Sequence, residues 1–214
     1  PNGYIRTRDD YADYKLHVEW RWVDEPTNSG VLLHKAGIDR VWPKCVEAQL
    51  MHENAGDFWL LTFSTINVDG KQIGPGQYVN GKKKHPSNEK PAGEWNRYII
   101  TCQGNRLLVS LNGEQIIDMD LDKWTQPKVN PDGTPNKFPR AMKDFARVGY
   151  IGLQDHGRAV WYRNIQVKRL DKAAVEKKGN AVFTLVPETY GMDLKTPDGR
   201  TVFRYMTKKP EKTN

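Results

Sequence analysis

Tyr150-Ile-Gly-Leu-Gln-Asp-His-Gly157, continued by Arg158-Ala-Val-Trp-Tyr-Arg-Asn-Ile-Gln-Val-Lys-Arg-Leu170, reads as two strands around a tight Asp155-His156-Gly157 bend. Successive side chains of a strand point to opposite faces. Ile151 and Leu153 therefore face a core, and Gln154 and His156 face away from it. A histidine beside a glycine turn, flanked by Gln, Asp and Arg, is more than a connection requires. It marks one wall of a polar site.

The period of two recurs upstream. Tyr14, Leu16, Val18, Trp20 and Trp22 share one face; Lys15, His17, Glu19 and Arg21 share the other. That is a half-buried strand. Val46, Ala48 and Leu50 alternate with Glu47, Gln49 and Met51, and Phe58 to Phe63 is a short apolar strand. Arg97–Gln103 and Arg106–Leu111 form a hairpin across Gly104-Asn105, and Asn112-Gly113 is the strongest short hairpin signal. Short strands with turn signals and almost no helical period imply an all-β antiparallel sandwich. Residues 1–170 make this unit, 171–181 a charged linker, and 182–214 an extension with one β-hairpin around Pro197-Asp-Gly199. Two long polar segments, 64–96 and 122–144, are expected to rim the site, because long loops on a rigid scaffold tend to carry function.

Composition narrows the function. A chain of 214 residues is long enough to bury a sizeable core. The net charge of +7 and pI near 9.3 read as a solvated basic surface. The dense Lys runs lie in loops or tails and no recognition motif accompanies them, so nucleic acid is set aside. No apolar run reaches a membrane span. Cys45 and Cys102 lie in apparent strands and read as two separate buried thiols. Oligomeric state is not legible.

The residues that could carry chemistry are few. Glu47 and Gln49 occupy the face opposite Val46 and Ala48. Asn28-Ser-Gly30 and Trp42-Pro43 bracket His34, which alone is more often a structural histidine. Arg163 shares parity with Trp161, Ile165 and Val167. An Arg on an apolar row needs an acceptor, so it is either a structural ion pair, a residue at a parity-shifting bulge, or a fixed donor near the site. Paired-carboxylate glycoside hydrolysis needs an acid and a nucleophile about 5–5.5 Å apart. The strand Glu47-Ala-Gln49 offers one carboxylate.

Asn28-Ser-Gly-Val-Leu-Leu33, Val41-Trp-Pro-Lys-Cys-Val-Glu-Ala-Gln-Leu50, Ala55-Gly-Asp-Phe-Trp59, Lys90-Pro-Ala-Gly-Glu-Trp-Asn96 and Tyr150–Gly157 with Trp161-Tyr-Arg-Asn-Ile165 resemble the bacterial 3-keto-disaccharide hydrolase family. The resemblance covers about residues 3 to 170. It implies a concanavalin-like jelly-roll sandwich, usually exported to the periplasm or cell surface, acting on oxidised glycosides. The outcome is that of a hydrolase, or of a lyase and hydratase in sequence. A C3 ketone acidifies the C2 proton; a base removes it, and the C1 glycosidic oxygen leaves. That route needs one base, one proton donor and a group to hold the enolate. Glu47 is the expected base or metal ligand and His156 its acid/base partner. Asn28, His34, Trp42, Gln49, Gln154, Asp155 and Arg163 are expected to bind the carbohydrate. No cofactor is demanded, although a divalent metal is compatible with carboxylate and imidazole ligands. Family members carry strands ahead of Gly3-Tyr4 that this chain lacks, so a sheet edge is open or filled from elsewhere. A non-catalytic carbohydrate-binding module is the alternative, since it needs aromatic platforms and no base.

Overall fold

Alternation settles which side each strand buries. In β2 (Tyr14–Trp22), Tyr14, Leu16, Val18, Trp20 and Trp22 are fully buried, and the residues between them are not. The computed structural model describes residues 3–23, 25–41, 43–61, 88–135, 140–170, 184–188, 191–195, 199 and 201–206. Its further strands are β1 (Gly3–Thr7), β3 (Gly30–Ala36), β4 (Lys44–Gln49), β5 (Phe58–Leu61), β6 (Asn96–Gln103), β7 (Arg106–Leu111) and β8 (Glu114–Asp120). They are followed by β9 (Tyr150–Asp155), β10 (Val160–Arg169), β11 (Thr184–Glu188), β12 (Gly191–Lys195) and β13 (Thr201–Met206).

These strands form the expected antiparallel sandwich. One sheet has the order β11-β12-β13-β1-β9-β3-β4-β5, and the other β10-β2-β6-β7-β8. The apolar row of β2 packs with Tyr98 and Ile100 of β6 against Val31, Val46, Ala48, Ile151 and Leu153 of the larger sheet. Each fully buried aliphatic side chain in such a core contributes about 1.5–3 kcal/mol. Asn112 and Gly113 both have positive φ, 50° and 93°, as the primed turn between β7 and β8 requires. Cys45 and Cys102 are buried free thiols in different sheets.

Three features depart from the alternation reading. Among the described residues the tail adds a further strand, β11, to the expected hairpin of β12 and β13, and β13 pairs along β1, Tyr4 opposite Met206 and Arg6 opposite Arg204. β1 is thus flanked by β13 on one edge and β9 on the other. Pro187 sits in β11, the outermost strand, where a missing N–H costs no ladder bond. The described residues of the 122–144 segment, 122–135 and 140–144, do not rim the Asn28 end of the strands. They pack Trp124 and Met142 into the core, and Asp122 pairs with Arg147 just ahead of β9, at the opposite end. Of the 64–96 segment, residues 64–87 lie outside the described residues, as do 171–181.

Candidate active site

Register builds the site on the outer face of the larger sheet. Gly30 of β3 lies opposite Gln49 of β4, and Val31 opposite Leu153 of β9. The side chains of Gln49 and Gln154 therefore flank Gly30 from its two neighbouring strands. Glu47, two residues back along β4, leans over the same glycine. A Cβ built on Gly30 would lie 1.9 Å from Glu47 Oε1. Only glycine leaves that space, which is what a glycine inside a strand often signals.

This face points away from the sandwich core, yet it is buried. Glu47 is 3% exposed and Gln154 2%. Among the described residues no hydrogen bond or ion pair reaches the Glu47 carboxylate. Burial alone pushes its pKa up to about 8, because a desolvated carboxyl holds its proton. Both amide atoms of Gln154 and the Oδ1 of Asn28 are buried without a hydrogen-bond partner among the described residues. Gln49 is better satisfied: its Oε1 accepts from the amides of Leu50 and Met51, at 3.0 and 3.1 Å. That fixes the side chain and leaves its NH₂ group to donate.

Asn28-Ser29-Gly30 joins the parts. Asn28 Nδ2 sits 3.4 Å from His156 Nε2 and donates to it when that nitrogen carries the lone pair. Ser29 Oγ donates to the Gln154 carbonyl at 2.5 Å and lies 2.6 Å from the Tyr162 hydroxyl. Glu47 over Gly30 and His156 beside Asn28 are thus set by one short extended run, about 7 Å from first Cα to last. Burial lowers the His156 pKa, with Asp155 opposing, so its imidazole is neutral at pH 7. Asp155 itself closes the bend, its Oδ1 accepting from Gly157 N at 2.7 Å. Beside it opens a pocket of about 460 Å³ lined by Gln154, Asp155, Arg158, Val160 and Tyr162. Tyr162 lines it and Glu47 does not.

Two of the residues expected at the site lie elsewhere. His34 sits at a bulge with φ 48°, where the β3 register shifts on both sides. The bulge re-aims the ring onto Tyr14 and bonds its Nε2 to Ala12 O at 3.0 Å, at the far end of the sandwich. Burial lowers its pKa, so it is a neutral structural group. Arg163 precedes a bulge at Asn164, φ 50°, which flips the parity of β10 between Arg163 and Gln166. Its Nε donates to Glu19 at 2.6 Å on the outer face of the smaller sheet. Trp42 lies outside the described residues. No three His, Cys, Asp or Glu side chains gather as a metal centre among the described residues. Ser29 and Tyr162 are the positions that parity reading did not single out, because their tie runs from the segment just before β3 to β10 of the other sheet.

Residues 1–168 match a family described as the 3-keto-alpha-glucoside-1,2-lyase-like domain. Over 181 residues the chain is 35% identical to a protein of Bacteroides thetaiotaomicron named 3-keto-disaccharide hydrolase, covering 75% of this chain and 60% of that one. The chain thus spans less than two thirds of that relative's length. A Parabacteroides distasonis protein, solved as a candidate glycosyl hydrolase, superposes with TM-score 0.60 at 30% identity, over 79% of this chain and 84% of its own. A second protein of that organism shares the fold at TM-score 0.51 and 20% identity, over 78% of this chain and 76% of its own. The sandwich and the extent of the sequence match agree: the chain belongs to the family of 3-keto-α-glucoside-1,2-lyase-like domains.

Proposed function

We propose that this chain cleaves 3-keto-glycosides by proton abstraction and elimination, followed by hydration. The observation that carries the reading is the buried Glu47 carboxyl, partnerless over Gly30, with the orphan amide of Gln154 and the neutral imidazole of His156 on the same short run. A group held near pKa 8 is protonated at pH 7, whereas an imidazole lowered from 6.5 is a free base. Environments that drive two pKa values apart assign acid and base. His156 takes the C2 proton of the sugar. The C1–O bond breaks as C1=C2 forms, and Glu47 gives its proton to the departing oxygen. Water then adds at C1 and a proton returns to C2, giving net hydrolysis. This reverses the roles expected from sequence, where Glu47 was the base. The amides of Gln154 and Gln49 hold sugar hydroxyls or the enolate oxygen.

The test is kcat/KM on a 3-keto-glycoside across pH. Rate should rise with deprotonation of His156 below 6.5 and fall as Glu47 loses its proton near 8. The unoxidised parent glycoside should be inert. A rate that climbs through pH 8 would return the base role to Glu47. Equal turnover of oxidised and unoxidised sugars would mean ordinary glycoside hydrolysis. Sugar binding without turnover would make the domain a binding module. No helix among the described residues is long and apolar enough to cross a membrane; export is part of the same proposal, and fractionation of the tagged natural protein tests it.

A further inference from the structure

The outer face of the smaller sheet carries two tryptophans and a row of cations that the Glu47 site does not use. Arg21 lies between two indoles, its guanidinium carbon 4.3 Å from the Trp161 ring centroid and 5.0 Å from that of Trp95. Arg163 covers Trp95 at 3.9 Å. Trp161 remains 48% exposed. Register puts Trp161 opposite Arg21, Arg163 opposite Glu19 and Glu19 opposite Arg97, so all stand on one face.

The charges there are unbalanced. The outward positions of β10, β2 and β6 hold Lys15, Arg21, Arg97, Arg163 and Lys168 against the carboxylate of Glu19, which Arg163 already occupies. Among the described residues Arg21 makes no hydrogen bond or ion pair. Its Nε is buried without a partner between the rings, while its terminal nitrogens are not among the buried, unpaired atoms. The indoles hold the guanidinium plane, and its N–H edge is left for an acceptor.

We propose that this face is a second binding site, for a carboxylate-bearing oligosaccharide chain, separate from the catalytic face. A stacked, pre-oriented Arg pairs with a planar carboxylate through two parallel N–H donors. An exposed indole offers a flat apolar platform for a pyranose ring. The surrounding cations draw in a polyanion. Two different units of a uronate chain would then meet Trp161 and Arg21. The choice of a glycan as the polyanion rests on the glycoside reading above; the cation–indole arrangement does not. RNA is the less favoured polyanion, because the aromatics lie on an edge strand and the turn before β6, without the RNP pattern on a central strand.

The experiment is titration calorimetry of the full chain with hexagalacturonate, a neutral hexasaccharide and single-stranded polyuridylate. Hexagalacturonate should bind with an affinity that falls as salt rises. The neutral sugar should bind at least about tenfold more weakly, a difference of about 1.4 kcal/mol. Trp161→Ala and Arg21→Gln should each weaken uronate binding by about tenfold or more, with the thermal midpoint retained. Turnover of a small 3-keto-glycoside by Trp161→Ala should match wild type, so failure of the catalytic reading would show there and not in the titration. Absence of hexagalacturonate binding, binding unchanged in both variants, or tighter binding of polyuridylate would each overturn the proposal. So would loss of uronate binding in Glu47→Gln, which would place that sugar in the catalytic site.

Discussion

The two outer faces of this sandwich handle charge in opposite ways. On the larger sheet, Glu47 and Gln154 are buried without partners, and the carboxyl is driven toward its neutral form. On the smaller sheet, Arg163 and Glu19 are ionised, paired and partly exposed, and the cations rest on indoles. An unsatisfied buried polar group costs free energy, and a fold keeps one where a ligand will satisfy it. A solvated ion pair contributes only about 0–1 kcal/mol. The comparison teaches why the proposed reaction is assigned to the face where polar groups lack partners, and the proposed contact to the charge-rich surface.

Four measurements bear on that contrast. The largest effect belongs to Glu47→Gln, which keeps shape and removes the proton; kcat on a 3-keto-glycoside should fall about 10²–10⁴-fold, with the fold intact by circular dichroism. Gly30→Ala comes next. Its backbone is not in the left-handed region, so the added methyl acts through Glu47, whose Oε1 must yield from 1.9 Å. A displacement of about 1 Å costs roughly 10²-fold in rate, and turnover assays should read that loss at near-normal stability.

Stability against pH gives the third. Glu47 has a folded pKa raised from 4.5 to about 8, so the folded state binds more protons than the unfolded between those values. Stability from this group is full below 4.5 and is lost as pH rises through 8. Glu47→Gln should therefore match wild type in thermal midpoint near pH 4 and exceed it increasingly up to about pH 8, by at most a few kcal/mol at about 1.4 kcal/mol per tenfold in proton affinity. A midpoint difference that is flat with pH would contradict burial as the cause. The smallest effect belongs to Arg163→Gln: the residue stands on the other sheet, so kcat should stay within about twofold and stability within about 1 kcal/mol. A hundredfold loss of kcat would dissolve the distinction between the faces.

Much of this was legible in the sequence. The alternation in Tyr14–Trp22 and in Val46–Leu50 assigned the core rows, and Gln49 and Gln154 fell on the same polar face through parity alone. Parity fails at bulges. His34 and Arg163 each sit at an irregular step, and nothing in the residue types announces the φ of 48° or 50° that re-aims them. The meeting of Glu47 with Gly30 was also hidden, because it depends on the β3–β4 register, a long-range choice that no local pattern records. The third tail strand contains Pro187, which local propensity disfavours in a strand and an edge tolerates.

The placement of β1 sets an order of assembly. Thr7 Oγ1 accepts from Ile151 N across 144 positions, and the other edge of β1 waits for β13. The β6-β7-β8 meander closes through turns a few residues long, so it can form as soon as it leaves the ribosome. β1 stays an open edge until nearly the whole described chain has been made. Contacts of such sequence separation form slowly, and unpaired edges recruit other chains while they wait. The sheet that carries Glu47 and Gln154 is therefore the last to close, and crowded expression should aggregate this protein through β1 before the smaller sheet fails.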